Sequence, residues 1–239
     1  MKKLFTLLCL VAGFSQSASA ADISTLGSLL QPEFRLLSED LGSALSYKPV
    51  TPAEPLGVTG FDIGVEVTGT DISKSSAALA KASGGSSPIT TLVVPKLHIA
   101  KGLPFGIDVA AFISAIPTTN IKVVGAELRY AILSGGVAIP AVAIRGAMTK
   151  LTGVDQLSFD TKSLDISISK GFLMFTPYAG VGEVWVNSTP NVAGLSEESF
   201  TQSKVFAGAN LNLGLTNFAL EGDQTGGTSS YTFKFGFRW

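Results

Sequence analysis

The stretch YTFKFGFRW, residues 231–239, decides the fold. Tyr231, Phe233, Phe235, Phe237 and Trp239 alternate with Thr232, Lys234, Gly236 and Arg238. Successive side chains of a β-strand point to opposite faces, so this run predicts a strand with one aromatic face and one polar, basic face. Such a strand suits a wall between lipid and a charged interior, where a one-residue slip would drive its charges into hydrocarbon.

The composition of the whole chain agrees. Charged residues are only 15% of the sequence, and the mean hydropathy is +0.39. Soluble domains carry nearer a quarter charged residues. Yet no stretch after the N-terminus approaches the run of about 20 apolar residues that a membrane helix needs. The first twenty residues, MKKLFTLLCLVAGFSQSASA, read as a signal peptide: Lys2 and Lys3, an apolar core from Leu4 to Phe14, and a small-x-small site at Ala18–Ala20. Its removal takes Cys9, the single cysteine, and excludes disulfides and thiolate chemistry from the mature chain. It also leaves fifteen basic against eighteen acidic residues, with no basic excess to attract nucleic acid. An exported, apolar chain without membrane helices points to a closed, antiparallel transmembrane β-barrel in an outer membrane.

From Gly57 onward the chain alternates strand-like runs with turns. We read ten strands, at 58–69, 88–100, 104–116, 121–133, 138–150, 160–170, 174–187, 201–214, 217–224 and 230–239. Eight or twelve strands remain open, because the ninth is short and Pro95 interrupts the second. The connections at 101–104, 133–137, 170–173 and 214–217 are short; those at 70–87, 151–159, 188–200 and 223–229 are mostly long and polar. That sorting predicts short turns in the periplasm and long loops outside, with Ile116–Asn120 as a brief exception. Phe61, Phe105, Tyr130, Phe172, Phe175, Phe218, Phe237 and Trp239 are expected at the periplasmic girdle, and Phe159, Trp185, Phe200 and Tyr231 at the outer one.

Residues 21–56 differ. Leu26, Leu30, Phe34, Leu37, Leu41 and Leu45 make one apolar stripe at helical spacing, and Pro32 suits the first turn of a helix over about 32–46. The stretch KPVTPAEPL (residues 48–56) follows as an extended linker. The domain reading is therefore 1–20 signal peptide, 21–56 periplasmic amphipathic helix and proline-rich linker, and 57–239 barrel. An apolar stripe fits a charged lumen badly, so the helix is expected on the barrel rim or the membrane face. A plug inside the lumen is the alternative.

The leader, the alternating strands and the terminal Phe237-Arg238-Trp239 resemble bacterial, Gram-negative outer-membrane β-barrel proteins. The final strand is similar to the signal by which the barrel-assembly machinery recognises its clients. EPLGVTGFDIGVEVTGT (residues 54–70) and KGLPFGIDVAAF (residues 101–112) resemble a group of uncharacterised exported barrels. The resemblance implies outer-membrane lipids, lipopolysaccharide and that machinery as partners, and it implies no activity.

The strand phase turns Asp62, Glu66, Lys96, His98, Asp108, Glu127, Arg129, Arg145, Asp165, Glu183, Lys204, Glu221, Asp223, Lys234 and Arg238 inward. Their signs nearly alternate around the circumference, and a buried charge needs a partner. This predicts a charge-paired, narrow lumen with a structural or envelope-interaction role. A porin-like transporter of a small or apolar solute, gated by the N-terminal segment, is the alternative. A hydrolase is less favoured. His98 is the only histidine, it is expected near the periplasmic end, and no spacing assigns it a serine, so no catalytic residue, metal site or cofactor is predicted.

Overall fold

The computed structural model describes residues 22–85, 87–116 and 121–239. The signal-peptide reading and most of the Ile116–Asn120 connection lie outside the described residues. Ten strands form one closed antiparallel barrel in which each strand pairs with its neighbours in sequence. They are β1 (Phe61–Asp71), β2 (Thr91–Gly102), β3 (Ile107–Ala115), β4 (Lys122–Ser134) and β5 (Ala141–Thr152). Then follow β6 (Leu157–Ser169), β7 (Phe175–Pro190), β8 (Glu198–Leu213), β9 (Thr216–Thr225) and β10 (Thr228–Arg238). Two helices accompany them, α1 (Gln31–Leu45) and α2 (Ser76–Ala82), the latter in the connection between β1 and β2.

The seam is made by the aromatic strand. β10 pairs with β1 from Asp62↔Arg238 to Thr70↔Ser230. This register puts Ile63, Val65 and Val67 beside Phe237, Phe235 and Phe233 on the outer wall, and Glu66 beside Lys234 on the inner one. Closure leaves no free edge strand, since each strand is paired on both sides.

Pro95 sits within a continuous β2, opposite Val67. The strand neither bulges nor breaks there. Instead the β2–β3 ladder ends at Leu97↔Ile113, below the proline, so its missing N–H costs no rung on that side. A register shift does occur on β4 at Ala131/Leu133, beside the turn to β5.

The outer wall is apolar over most of its height. Ile63, Val65, Leu97, Ile99, Ile113 and Leu128 are exposed on it, as are Ile144, Ile166, Val181, Val205 and Leu220. Glu183 corrects the sequence reading. It is exposed on this wall, opposite Leu164 and Ser203, while its neighbours Val184 and Val186 are buried inside. The next outward pair toward the long loops is Lys162↔Trp185, so Glu183 stands where the apolar band gives way to a polar, aromatic collar. Phe159 and Phe200 are also displaced from the expected outer girdle. Phe159 is buried and Phe200 half-buried, both packed into the internal core.

The N-terminal segment makes the largest difference from the sequence reading. α1 is not on the short-turn rim. It fills from inside the opposite mouth, the long-loop mouth, so named for its β1–β2 and β7–β8 connections. The β5–β6 and β9–β10 connections there, 153–156 and 226–227, are shorter than the sequence reading expects. The linker behind α1 descends through the lumen to β1.

Candidate functional site: the filled lumen

The lumen has two halves of opposite chemistry. Toward the long loops one arc of the inward face is largely apolar: Leu92 and Val94 on β2, Val123 on β4, Leu151 on β5, Phe159 on β6, and Val184 and Val186 on β7. β1 and β10 present instead the paired hydroxyls of Thr68 and Thr232 and of Thr70 and Ser230. Phe34, Leu37, Leu41, Ala44 and Leu45 of α1 pack into this sleeve, with Leu26 and Leu29 above and Ile72, Ala78 and Ala82 from the β1–β2 connection closing over them. The result is a hydrophobic core enclosed by a barrel. It explains the amphipathic stripe, which buries against apolar wall and never meets the charges.

The polar side of α1 is also tied to the wall. Ser38 Oγ donates to Ser188 Oγ at 2.8 Å. Asp40 accepts from the Ser75 N–H at 3.0 Å and from Thr228 Oγ1 at 2.8 Å, so it joins the β1–β2 connection to the start of β10. Gly42 permits the closest approach: a Cβ there would fall 2.9 Å from Val186 Cγ2 and 2.7 Å from Gln202 Oε1. At the mouth, Arg35 pairs with Glu198 at 3.0 Å and lies 4.0 Å over the Phe200 ring. Glu33 accepts from the Leu30 N–H at 2.7 Å and from Lys81 at 2.8 Å. That first bond is half of a capping box; Leu30 has no side-chain acceptor to supply the other half. Lys81 draws the Glu33 carboxyl below its ordinary value. Upstream, the Leu26 N–H donates to Gln156 Oε1, which anchors the chain to the β5–β6 connection.

Below α1 the wall is charged, and the linker supplies what those charges bind. Lys48 Nζ meets Asp223 at 2.7 Å, and also donates to the Ser43 carbonyl at 2.9 Å. Lys204 donates to the Tyr47 carbonyl at 2.5 Å. Glu221 accepts from the Val50 N–H at 2.8 Å and from the Tyr178 hydroxyl at 3.0 Å. Arg129 grips Asp108 at 2.6 Å, and its other nitrogen donates to Thr51 Oγ1 at 2.8 Å and to the Pro52 carbonyl at 2.6 Å. Asp108 in turn accepts from the Leu56 N–H at 3.1 Å. The segment crosses the barrel from one mouth to the other, held on the way by β8, β9, β4 and β3.

Most of the remaining inward charges pair within the wall; among the described residues the buried Lys96 Nζ has no hydrogen-bond or ion-pair partner. Arg145 makes a two-pronged contact with Asp165, at 3.0 and 2.6 Å, and reaches Glu127 at 3.4 Å. Lys234 lies 2.6 Å from Asp62, with Arg238 at 3.9 Å. His98 Nε2 is 3.2 Å from the Tyr47 hydroxyl, and its Nδ1 is 3.6 Å from Glu66. Tyr47 also packs against Phe112, with ring centroids 5.4 Å apart. Lys96 lies 5.1 Å from the centroid of the same ring, on the inner face beside Glu66. Of the inward charges expected from sequence, Glu183 alone is outside this assembly. What the sequence reading missed is the other half of the contacts, Tyr47, Lys48, Thr51 and the linker backbone. The available signal was the inward phase of Leu92, Val94, Val184 and Val186, which marks a sleeve for an apolar helix.

The attachment invasion locus protein Ail of Yersinia pestis, solved with the heparin analogue sucrose octasulfate, matches 75% of this chain and 98% of its own at 8% identity, with a TM-score of 0.31. The translocator domain of the autotransporter NalP from Neisseria meningitidis matches 85% of this chain and 94% of its own at 11% identity, with a TM-score of 0.40. Both are likenesses of barrel form alone. No protein-family model matches the sequence. No curated protein matches it either.

Proposed function

We propose that this chain is an integral outer-membrane barrel, exported by a cleaved leader, that its own N-terminal segment keeps closed. Its role is structural or in envelope interaction, exercised at the long-loop face, and not catalytic. The observation that carries this reading is the threaded segment 31–56, which fills the sleeve with α1 and binds the charged half through Lys48, Val50 and Thr51. A wall that is apolar outside and charged inside supports the placement in lipid, with the short turns in the periplasm and the long loops outside. Outer-membrane phospholipid and lipopolysaccharide are then its surroundings, and β10 is the segment offered to the barrel-assembly machinery.

Conductance tests the reading. The refolded chain in planar bilayers is expected to be silent, and a variant lacking residues 22–45 is expected to give steps of current. A large steady conductance from the intact chain would overturn it. The second reading, transport gated by the same segment, has one observation in its favour. The segment joins the wall covalently only at its β1 end, so α1 could leave the mouth without breaking the chain. Solute flux through the intact chain, with opening and closing events, would favour that reading.

A further inference from the structure

The short-turn rim is unlike the long-loop face. Its tips carry large apolar side chains held fully out of the protein: Phe105 is 90% exposed, Val137 103% and Leu173 104%. Leu215 is exposed on the remaining short turn. Thus each of the four strand-to-strand connections on this rim presents one. Two of these residues, Phe105 and Leu173, sit at positive φ, 66° and 55°. Glycine or asparagine takes that conformation at least cost, yet here a ring and a leucine take it.

Several backbone carbonyls of this rim are also capped by the protein itself. Lys170 Nζ caps the carbonyls of Gly136, Val137 and Ile139 at 2.8, 2.7 and 3.2 Å. Lys101 caps those of Val58 and Gly60 and lies 4.2 Å over the Phe61 ring, which stacks on Trp239. Phe172 and Phe175 exchange backbone bonds across their tight turn at 2.7 and 3.0 Å. The connections 102–106, 135–140, 171–174 and 214–215 contain no Asp or Glu, while Lys101, Lys170 and Arg238 stand beside them.

We propose that this rim is seated in a phospholipid leaflet, with Phe105, Val137, Leu173 and Leu215 below the headgroups and the lysines at headgroup level. The proposal rests on the membrane reading above and deepens it. Apolar tips, capped carbonyls and turns that hold no carboxylate and stand beside lysines fit the boundary between acyl chains and anionic headgroups, with Glu54 of the linker the exposed carboxylate at this mouth. An aqueous periplasmic turn needs none of these. Phospholipid is favoured over a protein partner because the tips project singly around a ring and do not form one contiguous patch.

The mature chain has no cysteine, so single labels are clean. Leu173→Cys and Phe105→Cys, each carrying a bimane, are compared in phosphatidylglycerol-containing vesicles with Val181→Cys on the wall and Ala193→Cys in a long loop. We expect brominated lipid to quench the two rim labels within about twofold of Val181→Cys, and iodide to quench only Ala193→Cys. Rim labels quenched by iodide, with Val181→Cys still quenched by lipid, overturn the proposal and leave the membrane reading standing. Rim labels shielded from both quenchers mean that a second copy covers them, which also overturns it. Failure of lipid to quench Val181→Cys sinks both.

Discussion

Lys48 Nζ and Asp223 Oδ1 lie 2.7 Å apart, and both side chains are sealed from solvent. One belongs to the threaded segment and the other to β9, so this contact joins residues far apart in sequence through the middle of the barrel. Removing one partner leaves a buried charge alone, which costs about 3–5 kcal/mol, whereas removing both in exchange for apolar groups is often near neutral. Lys48→Ala and Asp223→Ala should each lower stability by that order. The pair Lys48→Met with Asp223→Leu should recover most of it. Urea unfolding in vesicles, followed by tryptophan fluorescence, reads all four chains. Single variants within about 0.5 kcal/mol of the parent, the range of ordinary surface changes, would show that the pair is solvated.

Gly42 offers a way to move the plug without touching a charge. Its missing side chain lets α1 lie against Val186 and Gln202. Gly42→Phe puts a ring where a single carbon already collides, and overpacking of this kind typically costs 1–3 kcal/mol. The helix, tied to the barrel covalently only through the linker, should yield before the wall does. We expect Gly42→Phe to fold, to keep its heat-sensitive migration on gels, and to show transient current steps absent from the parent. A silent Gly42→Phe barrel would mean that α1 does not decide conduction.

How much of this was legible in the sequence follows from what periodicity can carry. Period-two alternation sets which face each strand residue takes, and it placed Glu66, Arg129, Lys234 and their neighbours inside. It failed at Glu183 because strand phase was extended across β7, where Ala179, Gly180, Val181 and Gly182 carry no polar signal to fix it. The helix was legible from its leucine stripe, but its site was not. The lumen was treated as uniformly charged, although Leu92, Val94 and Val123 share the inward phase of Lys96, His98 and Glu127. A lumen divided by height needs strand register as well as phase, and register depends on pairings that no single strand encodes. Tyr47 and Lys48 carry no signal of their own for the same reason: their partners lie on β2 and β9.

Glu33 gives the mouth a pH dependence. Its carboxyl is held below the ordinary glutamate value of 4.5, chiefly by the Lys81 hydrogen bond and then by the Leu30 N–H. A carboxyl depressed in the folded state contributes stability above its unfolded value, and loses that contribution as pH falls through the folded one. The start of α1 should therefore fray on acidification below 4.5, with a lower protection of the Leu30 amide against hydrogen exchange, taken relative to the free amide at the same pH. Glu33→Gln should exchange faster at neutral pH and should flatten the pH response. An acid response unchanged in Glu33→Gln would assign it to another group.

The threaded path makes a topological claim that labelling can decide. The Ser24 and Thr25 N–H groups both donate to the Ala82 carbonyl in the β1–β2 connection, so the chain before α1 lies at the long-loop face. Phe61 begins β1 at the opposite mouth, paired with Lys101 and bonded to Trp239. Ser28 and Thr59, separated by about thirty residues, should thus lie on opposite sides of the membrane. In intact cells, a membrane-impermeant maleimide should label Ser28→Cys as readily as Ala193→Cys in the β7–β8 loop. Thr59→Cys should react only after permeabilisation. If Ser28→Cys instead follows Thr59→Cys while Ala193→Cys remains accessible, the segment returns to the periplasm and the lumen is not threaded. If Thr59→Cys labels and Ala193→Cys does not, the barrel is inverted, and the plug still stands.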